Sequence, residues 1–160
     1  MPAAAGIIGA MATSWTFQHK PDLSMVLNGS LAGLVGITAG ADVVSVNAAM
    51  LIGLIAGVIV VFSVLFIDRA HLDDPVGAVS VHLVCGIWGT LAVGIFSADH
   101  SFITQAIGVL AYGVFCFPVA LAFFMALRMS VGLRVSPDDE ESVGRDVSEH
   151  GMDAYGLPTR

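Results

Sequence analysis

Charged residues are scarce in this chain of 160 residues. Asp, Glu, Lys and Arg together make up 12% of it, about half the share in a soluble domain, whereas hydrophobic residues make up 56%. The mean hydropathy is +0.87. A soluble domain of this size leaves much of its surface in water and could not bury so much apolar surface. The composition therefore argues against a soluble enzyme and predicts a membrane protein.

Cysteine and lysine are also rare, with two cysteines and the single lysine Lys20. Two cysteines do not make a disulfide scaffold, and a formal net charge of −7 argues against nucleic-acid binding. The acidity is concentrated at the C-terminal end, where seven of the 13 acidic residues lie between Asp138 and Arg160. We therefore predict a transmembrane region over residues 1–135, nearly neutral in charge, and an acidic cytoplasmic tail over residues 136–160.

The charges divide the apolar region into five runs that suit membrane-spanning helices, which need about 20 mostly apolar residues each. Because every backbone amide in lipid needs a partner within the protein, these runs should be helices. The predicted fold class is an all-α, polytopic membrane helical bundle. Glycine and alanine recur at four-residue steps, as in Gly6-Ala10 and Gly53-Gly57, which predicts close packing of helices. The predicted spans are residues 2–17, 23–41, 48–67, 76–96 and 102–127.

The basic residues predict the orientation of the chain in the membrane. If successive spans alternate in direction, four basic residues fall on one side, and the short gaps on the other side contain no Lys or Arg. The positive-inside rule makes the basic side cytoplasmic, so the tail lies in the cytoplasm and the N-terminus outside. The four basic residues are Lys20, Arg69, Arg128 and Arg134.

His82 is the one strongly ionisable residue within the predicted spans. It follows Pro75 by seven residues, which places it about 10 Å into a helix that begins there. Ionisable groups in membranes are costly and usually face an interior pathway. Removal from water disfavours the imidazolium form, so we expect a neutral ring with one donor and one acceptor nitrogen. Such a ring could line a path for a small polar molecule, or it could hydrogen-bond to a neighbouring helix.

Three further side chains, one just before a predicted helix and two within predicted helices, are candidates for a role. Asp74 precedes Pro75 and is predicted to cap the free amides of the helix that carries His82. Cys85 and Cys116 have no close set of further ligands and no orienting acid beside them. We therefore predict apolar packing for both cysteines, and we predict no metal, no cofactor and no catalytic residue.

Several segments resemble the ammonium transporter family (Amt/Mep/Rh), in the order in which that family has them. Residues 73–75 with 81–89 resemble its penultimate helix, residues 20–38 its eighth helix, and 131–135 with 146–156 its membrane exit and cytoplasmic tail. The family fold is an eleven-helix bundle that assembles as a trimer with one pore per subunit. By this alignment the chain supplies helices seven to eleven. The first inverted repeat, with the first pore histidine, the aromatic gate and the outer cation site, would then be missing.

The resemblance implies ammonium or ammonia transport across the cell membrane. Ammonium would lose its proton at the outer mouth, and ammonia would pass a hydrophobic pore lined by two hydrogen-bonded histidines, with the proton on the same or a separate route. His82 matches the second histidine, Ala78 and Ile37 are candidate apolar pore-lining positions, and Asp74 is a candidate helix cap near the cytoplasmic mouth. The implied partners are ammonium or ammonia, the lipid bilayer, a homotrimer and a P-II-type regulator at the cytoplasmic face, and no nucleic acid.

A chain without the first repeat is not expected to transport alone, because His82 would face lipid or another chain. Two alternatives stay open at this point. The chain could be a membrane-anchored interaction or regulatory fragment that does not transport, or a structural remnant without activity.

Overall fold

The computed structural model describes residues 1–133 together with Val147 and Gly151. Within these residues the chain is helical and has no strand, which confirms the predicted all-α class. Arg134 and the predicted tail, except for those two residues, lie outside the described part. The chain divides into two compact units, Met1–Gly113 and Val114–Arg160. The helices are α1 (Pro2–Gln18), α2 (Leu23–Thr38), α3 (Val46–Arg69), a π-helical segment (Val79–Val84), α4 (Cys85–Phe96) and α5 (Phe102–Ser130).

Short polar side chains begin two of these helices. The Asp22 carboxylate accepts a hydrogen bond from the Met25 amide at 3.0 Å, and the Ser45 hydroxyl accepts one from the Ala48 amide at 3.3 Å. Each bond satisfies one of the amides that have no partner inside the helix. Because Ser45 supplies this cap, α3 begins at Val46, two residues before the predicted span.

Two helix boundaries differ from the predicted spans because turns replace helical hydrogen bonds. The second predicted span extends to residue 41, but α2 ends at Thr38, where the Gly40 amide donates to the Ile37 carbonyl at 2.9 Å. The fourth predicted span begins at residue 76, but the π-helical segment begins at Val79. Before it, the Gly77 amide donates to the Asp74 carbonyl at 3.0 Å, and Gly77 has a φ of 72°, which interrupts a right-handed helix.

In the first unit, α1 packs against both α2 and α3 through glycine backbone. A Cβ atom added at Gly6 would overlap the carbonyl oxygen of Gly29 on α2, and one added at Gly57 on α3 would overlap the carbonyl oxygen of Gly6. The helices therefore approach each other as closely as their backbones allow, as the spacing of small residues predicted. Around these contacts lies a core that includes the fully buried Ala10 and Ala56.

Two side chains of α4 donate hydrogen bonds to carbonyl groups of α3. Trp88 Nε1 donates to the Ile52 carbonyl at 3.1 Å, and Cys85 Sγ donates to the Ala56 carbonyl at 3.6 Å. Both the donors and the acceptors are about one helical turn apart. These two bonds fix how far α4 lies along α3, and they position the π-helical segment that precedes it.

Among the described residues, three helices are long and apolar enough to cross a membrane: Val46–Arg69, Val79–Phe96 (the π-helical segment with α4) and Phe102–Ser130. The remaining two predicted spans correspond to α1 and α2, which have 17 and 16 residues. At about 1.5 Å per residue each is about 25 Å long, somewhat short of the hydrocarbon thickness of about 30 Å. The chain is thus a multi-pass membrane protein in which α1 and α2 are shorter than the other three spans.

The described part of the second unit begins within α5, at Val114. None of the 29 residues of α5 is buried, and the rings of Phe123 and Phe124 meet edge to face with centroids 5.7 Å apart. The helix closes with the amides of Val131 and Gly132, which both donate to the Leu127 carbonyl. Such an apolar, unburied surface is typical of a helix that faces lipid or another membrane chain.

Candidate functional site

His82 lies in the π-helical segment Val79–Val84. A π-helix has i to i+5 hydrogen bonds, is rare, and occurs mostly as a single wide turn, frequently at functional sites. In this turn Ser80 and Val81 are buried at 0% and 1% exposure, whereas His82 is exposed. The imidazole therefore lies on the side of the helix that the rest of the described chain leaves uncovered.

The later start of the helix also changes the depth expected for His82. The sequence placed it about 10 Å into a helix that begins at Pro75. Measured from Val79, His82 is only three residues into the helix. The estimate from the sequence was too long because Pro75 and Val76 belong to the turn that Asp74 and Gly77 close.

Asp74 binds the start of this helix from the preceding loop. Its Oδ1 accepts a hydrogen bond from the Val79 amide at 2.9 Å, and its Oδ2 accepts bonds from the amide and the hydroxyl of Ser80, both at 3.0 Å. A usual N-cap binds amides two or three residues later, but Asp74 reaches five and six residues ahead. Partial burial opposes ionisation of Asp74, yet these hydrogen bonds outweigh it and hold the carboxyl pKa below its ordinary 3.8.

The two apolar candidates lie at different levels relative to His82. Ala78 directly precedes the π-helical segment and is exposed, four residues before His82. Ile37 is half-buried near the end of α2, and its neighbour Gly36 lies against Trp88 and Gly89. Ile37 is thus level with a point about seven residues beyond His82, which is about 10 Å along the axis. The structure places Ala78 near the level of His82 along the helix axis, whereas Ile37 lies at a different level.

A cavity of about 340 Å³ borders the loop that contains Asp74. Three aspartates, Asp68, Asp73 and Asp74, contribute to its lining at the end of the first unit where α3 ends. The other lining residues are Gln18, Met25, Val64, Leu65, Ile67, Leu72 and Pro75. The start of the helix that carries His82 is therefore polar, and the ring itself lies beyond it, on the apolar helix.

The sequence did not predict the π-helical turn or the roles of Ser80 and Gly77. Ser80 is fully buried, and a Cβ atom at Gly77 would lie 2.6 Å from Nδ2 of Asn28 on α2. Gly77 was the available signal, because a glycine two residues after Pro75 disfavours a helix that starts directly after the aspartate. The contact of Ser80 with Asp74 depends on that turn and could not be read from spacing alone.

Acidification should weaken the folded chain through Asp22 and Asp74. The Ser24 hydroxyl and the Met25 amide donate to Asp22 and lower its pKa below 3.8, as hydrogen bonds do at Asp74. A carboxyl with a lowered folded-state pKa adds stability above its unfolded value, and this stability is lost as the pH falls through the folded value. We expect the thermal midpoint of detergent-solubilised chain to fall more between pH 5 and pH 3 in the wild type than in Asp22→Asn/Asp74→Asn. Circular dichroism measures the midpoint, and Asp99→Asn is the control. An equal fall of the midpoint in the wild type and in the double variant would contradict this.

The chain matches the family model described as the Ammonium Transporter Family over residues 1–155. It is 43% identical to a putative ammonium transporter of Synechocystis, with 98% of this chain and 36% of that protein aligned. It is 38% identical to the ammonium transporter Amt2 of Archaeoglobus fulgidus, over 97% of this chain and 37% of the relative. The chain thus spans just over a third of the length of these relatives.

Solved structures give the same result for the fold. A structure described as a Sensor Amt protein superposes on 87% of this chain with a TM-score of 0.81 and 32% sequence identity, and the match covers 37% of that protein. Candida albicans Mep2 superposes on 86% of the chain with a TM-score of 0.77 and 25% identity, covering 35% of Mep2. The helices described above are one part of a larger transporter fold. The chain therefore belongs to the ammonium transporter family.

Proposed function

We propose that this chain is the C-terminal part of a transporter that carries ammonium or ammonia across the membrane, with His82 in the pore wall. The observation that carries the proposal is the exposed imidazole in the membrane-spanning helix Val79–Phe96. It belongs to a chain that matches the ammonium transporter family over residues 1–155. An exposed polar ring on an apolar helix is costly in lipid unless it faces a pathway or another polar surface.

The chemistry of a neutral imidazole suits this role. One ring nitrogen donates a hydrogen bond and the other accepts one, and ammonia can do both. The ring therefore replaces part of the hydration shell of ammonia without placing a fixed charge in the pore. Ala78, one turn before His82, would leave the pore wall apolar, and Ile37 would do the same about 10 Å further along. Asp74 keeps its negative charge at the start of the helix, where amide groups bind it.

The exposed side of His82 also explains why the chain should not transport alone. A pore needs a wall on every side, and the described residues leave this side of the ring uncovered. The relatives are almost three times as long as this chain, which aligns with 36% and 37% of their lengths. We propose that the missing wall is supplied by the part of the transporter that precedes these helices.

The proposal includes an orientation and partners. Lys20 follows α1, Arg69 ends α3 and Arg128 lies in the last turn of α5, so alternating helices place all three on one side, which we take as cytoplasmic. The tail would then be cytoplasmic and the host membrane the cell membrane. For the complete protein we propose a homotrimer and a P-II-type regulator at the cytoplasmic face. The resemblance implies both, and the similarity to a protein described as a sensor adds support for regulation.

The function can be tested by completing the transporter. In a host that lacks its own ammonium transporters, we expect no methylammonium uptake from this chain alone. Fusing it in frame behind the preceding two thirds of the Synechocystis relative should restore uptake, because the 43% identity extends over nearly all of this chain. Membrane fractionation of both proteins provides the control for expression and insertion.

Robust uptake by the chain alone would contradict the missing-wall argument. A fusion that inserts into the membrane but takes up no methylammonium would contradict transport and would favour the interaction or regulatory alternative. In that case, the fusion with and without residues 136–160 would each be combined with a full-length transporter. A difference between the two would show that the tail changes the behaviour of this partner.

A further inference from the structure

The contact between Asp74 and Ser80 lies directly before His82. Ser80 is fully buried, and both its amide and its hydroxyl donate to Asp74 Oδ2 at 3.0 Å. The other carboxylate oxygen accepts the Val79 amide at 2.9 Å. The carboxylate thus holds the first two residues of the π-helical segment, two and three positions before the histidine.

The π-helical turn determines which side chains face the bundle. Ser80 and Cys85 are both at 0% exposure although they are five residues apart. In a regular α-helix, five residues rotate the side chain well past one full turn and onto another face, whereas an i to i+5 turn brings the two residues onto the same face. His82 lies between them and is exposed. The wide turn is therefore compatible with two buried anchors and an outward imidazole.

Cys85 is fixed independently of Ser80. Cys85 Sγ donates to the Ala56 carbonyl at 3.6 Å, and Trp88 donates to the Ile52 carbonyl at 3.1 Å, so α4 cannot rotate without losing these bonds. If Ser80 were released while these bonds held, the register of the helix could change only in the segment Val79–Val84. The side chain that would change direction most is then His82.

We propose that Ser80 is a positioning residue for His82. Its hydroxyl, held by Asp74, keeps the segment in π-helical register and thereby directs the imidazole away from the α3 contact. The importance of this orientation for transport rests on the proposed function, but the orientation itself is a property of the chain and can be measured without transport.

The test uses the whole chain with isotope-labelled histidine in detergent micelles. Loss of one signal in His82→Ala assigns the His82 ring resonance, and a soluble gadolinium chelate reports its exposure. Ser80→Ala should shift that resonance and reduce its relaxation enhancement by about half, because a return to α-helical register rotates the ring by about 100°. The Cα shifts of Val79 to Val84 should move towards α-helical values in the same variant.

Thr90→Ala is the matched control. The Thr90 hydroxyl also donates a hydrogen bond on this helix, to the Gly86 carbonyl at 3.0 Å, but it has no contact with Asp74. It should leave the His82 resonance where it is. Ser80→Cys, which has a similar shape and a weaker donor, should lie between the wild type and Ser80→Ala.

A Ser80→Ala spectrum that differs no more than that of Thr90→Ala overturns the proposal, even if the variant is less stable. Should Ser80→Ala not fold, Asp74→Asn gives the same contrast, because the asparagine side chain has one accepting oxygen where the carboxylate has two. An unmoved His82 resonance in Asp74→Asn overturns the proposal as well. Methylammonium uptake by the completed transporter separates the positioning role of Ser80 from the proposed role of His82 in the pore. A moved ring with unchanged uptake supports the positioning role and counts against the proposed role of His82.

Discussion

Replacement of Gly57 by valine is expected to lower the thermal midpoint of the helical bundle by about 10 °C, since overpacking at this site should cost about 3 kcal/mol. A Cβ atom at Gly57 would overlap the backbone carbonyl of Gly6, and backbone cannot move aside as a flexible side chain can. α1 would have to separate from α3, although α1 also packs on α2 through Gly29. Loss of helical circular dichroism on heating in detergent measures the effect.

Gly108 on α5 provides a matched control, because a Cβ atom there would have nothing within 4 Å. Gly108→Val also places valine in an apolar helix and should leave the midpoint unchanged or raise it slightly, since valine favours helix over glycine. In a Cys116→Ser background, the alkylation rate of the fully buried Cys85 provides a second measure of bundle opening. We expect Gly57→Val to raise this rate about tenfold or more through local opening. Equal behaviour of Gly57→Val and Gly108→Val would show that the glycine contact does not hold α1 in place.

This packing is an example of structure that the sequence made predictable. Apolar runs separated by charges define the helices, and the four-residue steps Gly6-Ala10 and Gly53-Gly57 identify the faces that meet. Both signals are local, because helix-to-helix contact in lipid depends on small side chains that lie on one face. The residues alone singled out His82, and the family resemblance added the order of the helices and the match of His82 to the second pore histidine.

The start of the helix that carries His82 was predicted less well. Asp74 does bind the free amides of that helix, but from five and six residues away, across a turn that Gly77 makes possible. In the π-helical register Ser80 and Cys85 are both buried, Ser80 is bound by Asp74, and Cys85 is bound to a carbonyl of α3. These are tertiary contacts between distant segments. The hydrophobic periodicity of residues 76–96 carries no information about these contacts, so an ordinary α-helix was the expectation.

The largest functional effect should come from His82 itself in the completed transporter. His82→Ala removes the one donor and the one acceptor that the ring offers. Loss of a hydrogen bond from the ring to the transported molecule in the completed pore, worth about 1.5 kcal/mol, would slow methylammonium uptake about tenfold. His82→Glu should act differently, because a carboxylate attracts cations and binds them without deprotonation. We expect this variant to carry ammonium as an ion, together with other monovalent cations, and therefore to produce a larger electrical current per molecule taken up.

The control is His71→Asn, in an exposed loop at a φ of 55° that asparagine tolerates. It removes an imidazole without touching the helix that carries His82, so uptake and current should both match the wild type. Uptake of labelled methylammonium and current in planar bilayers, measured on the same preparations, separate rate from selectivity. If His82→Ala and His82→Glu both keep the wild-type rate and ion selectivity, the ring has no part in conduction. The polar chemistry of the pathway must then lie in the part of the transporter that precedes these helices. If the two variants diverge as expected, the neutrality of the ring is what excludes ions from the path.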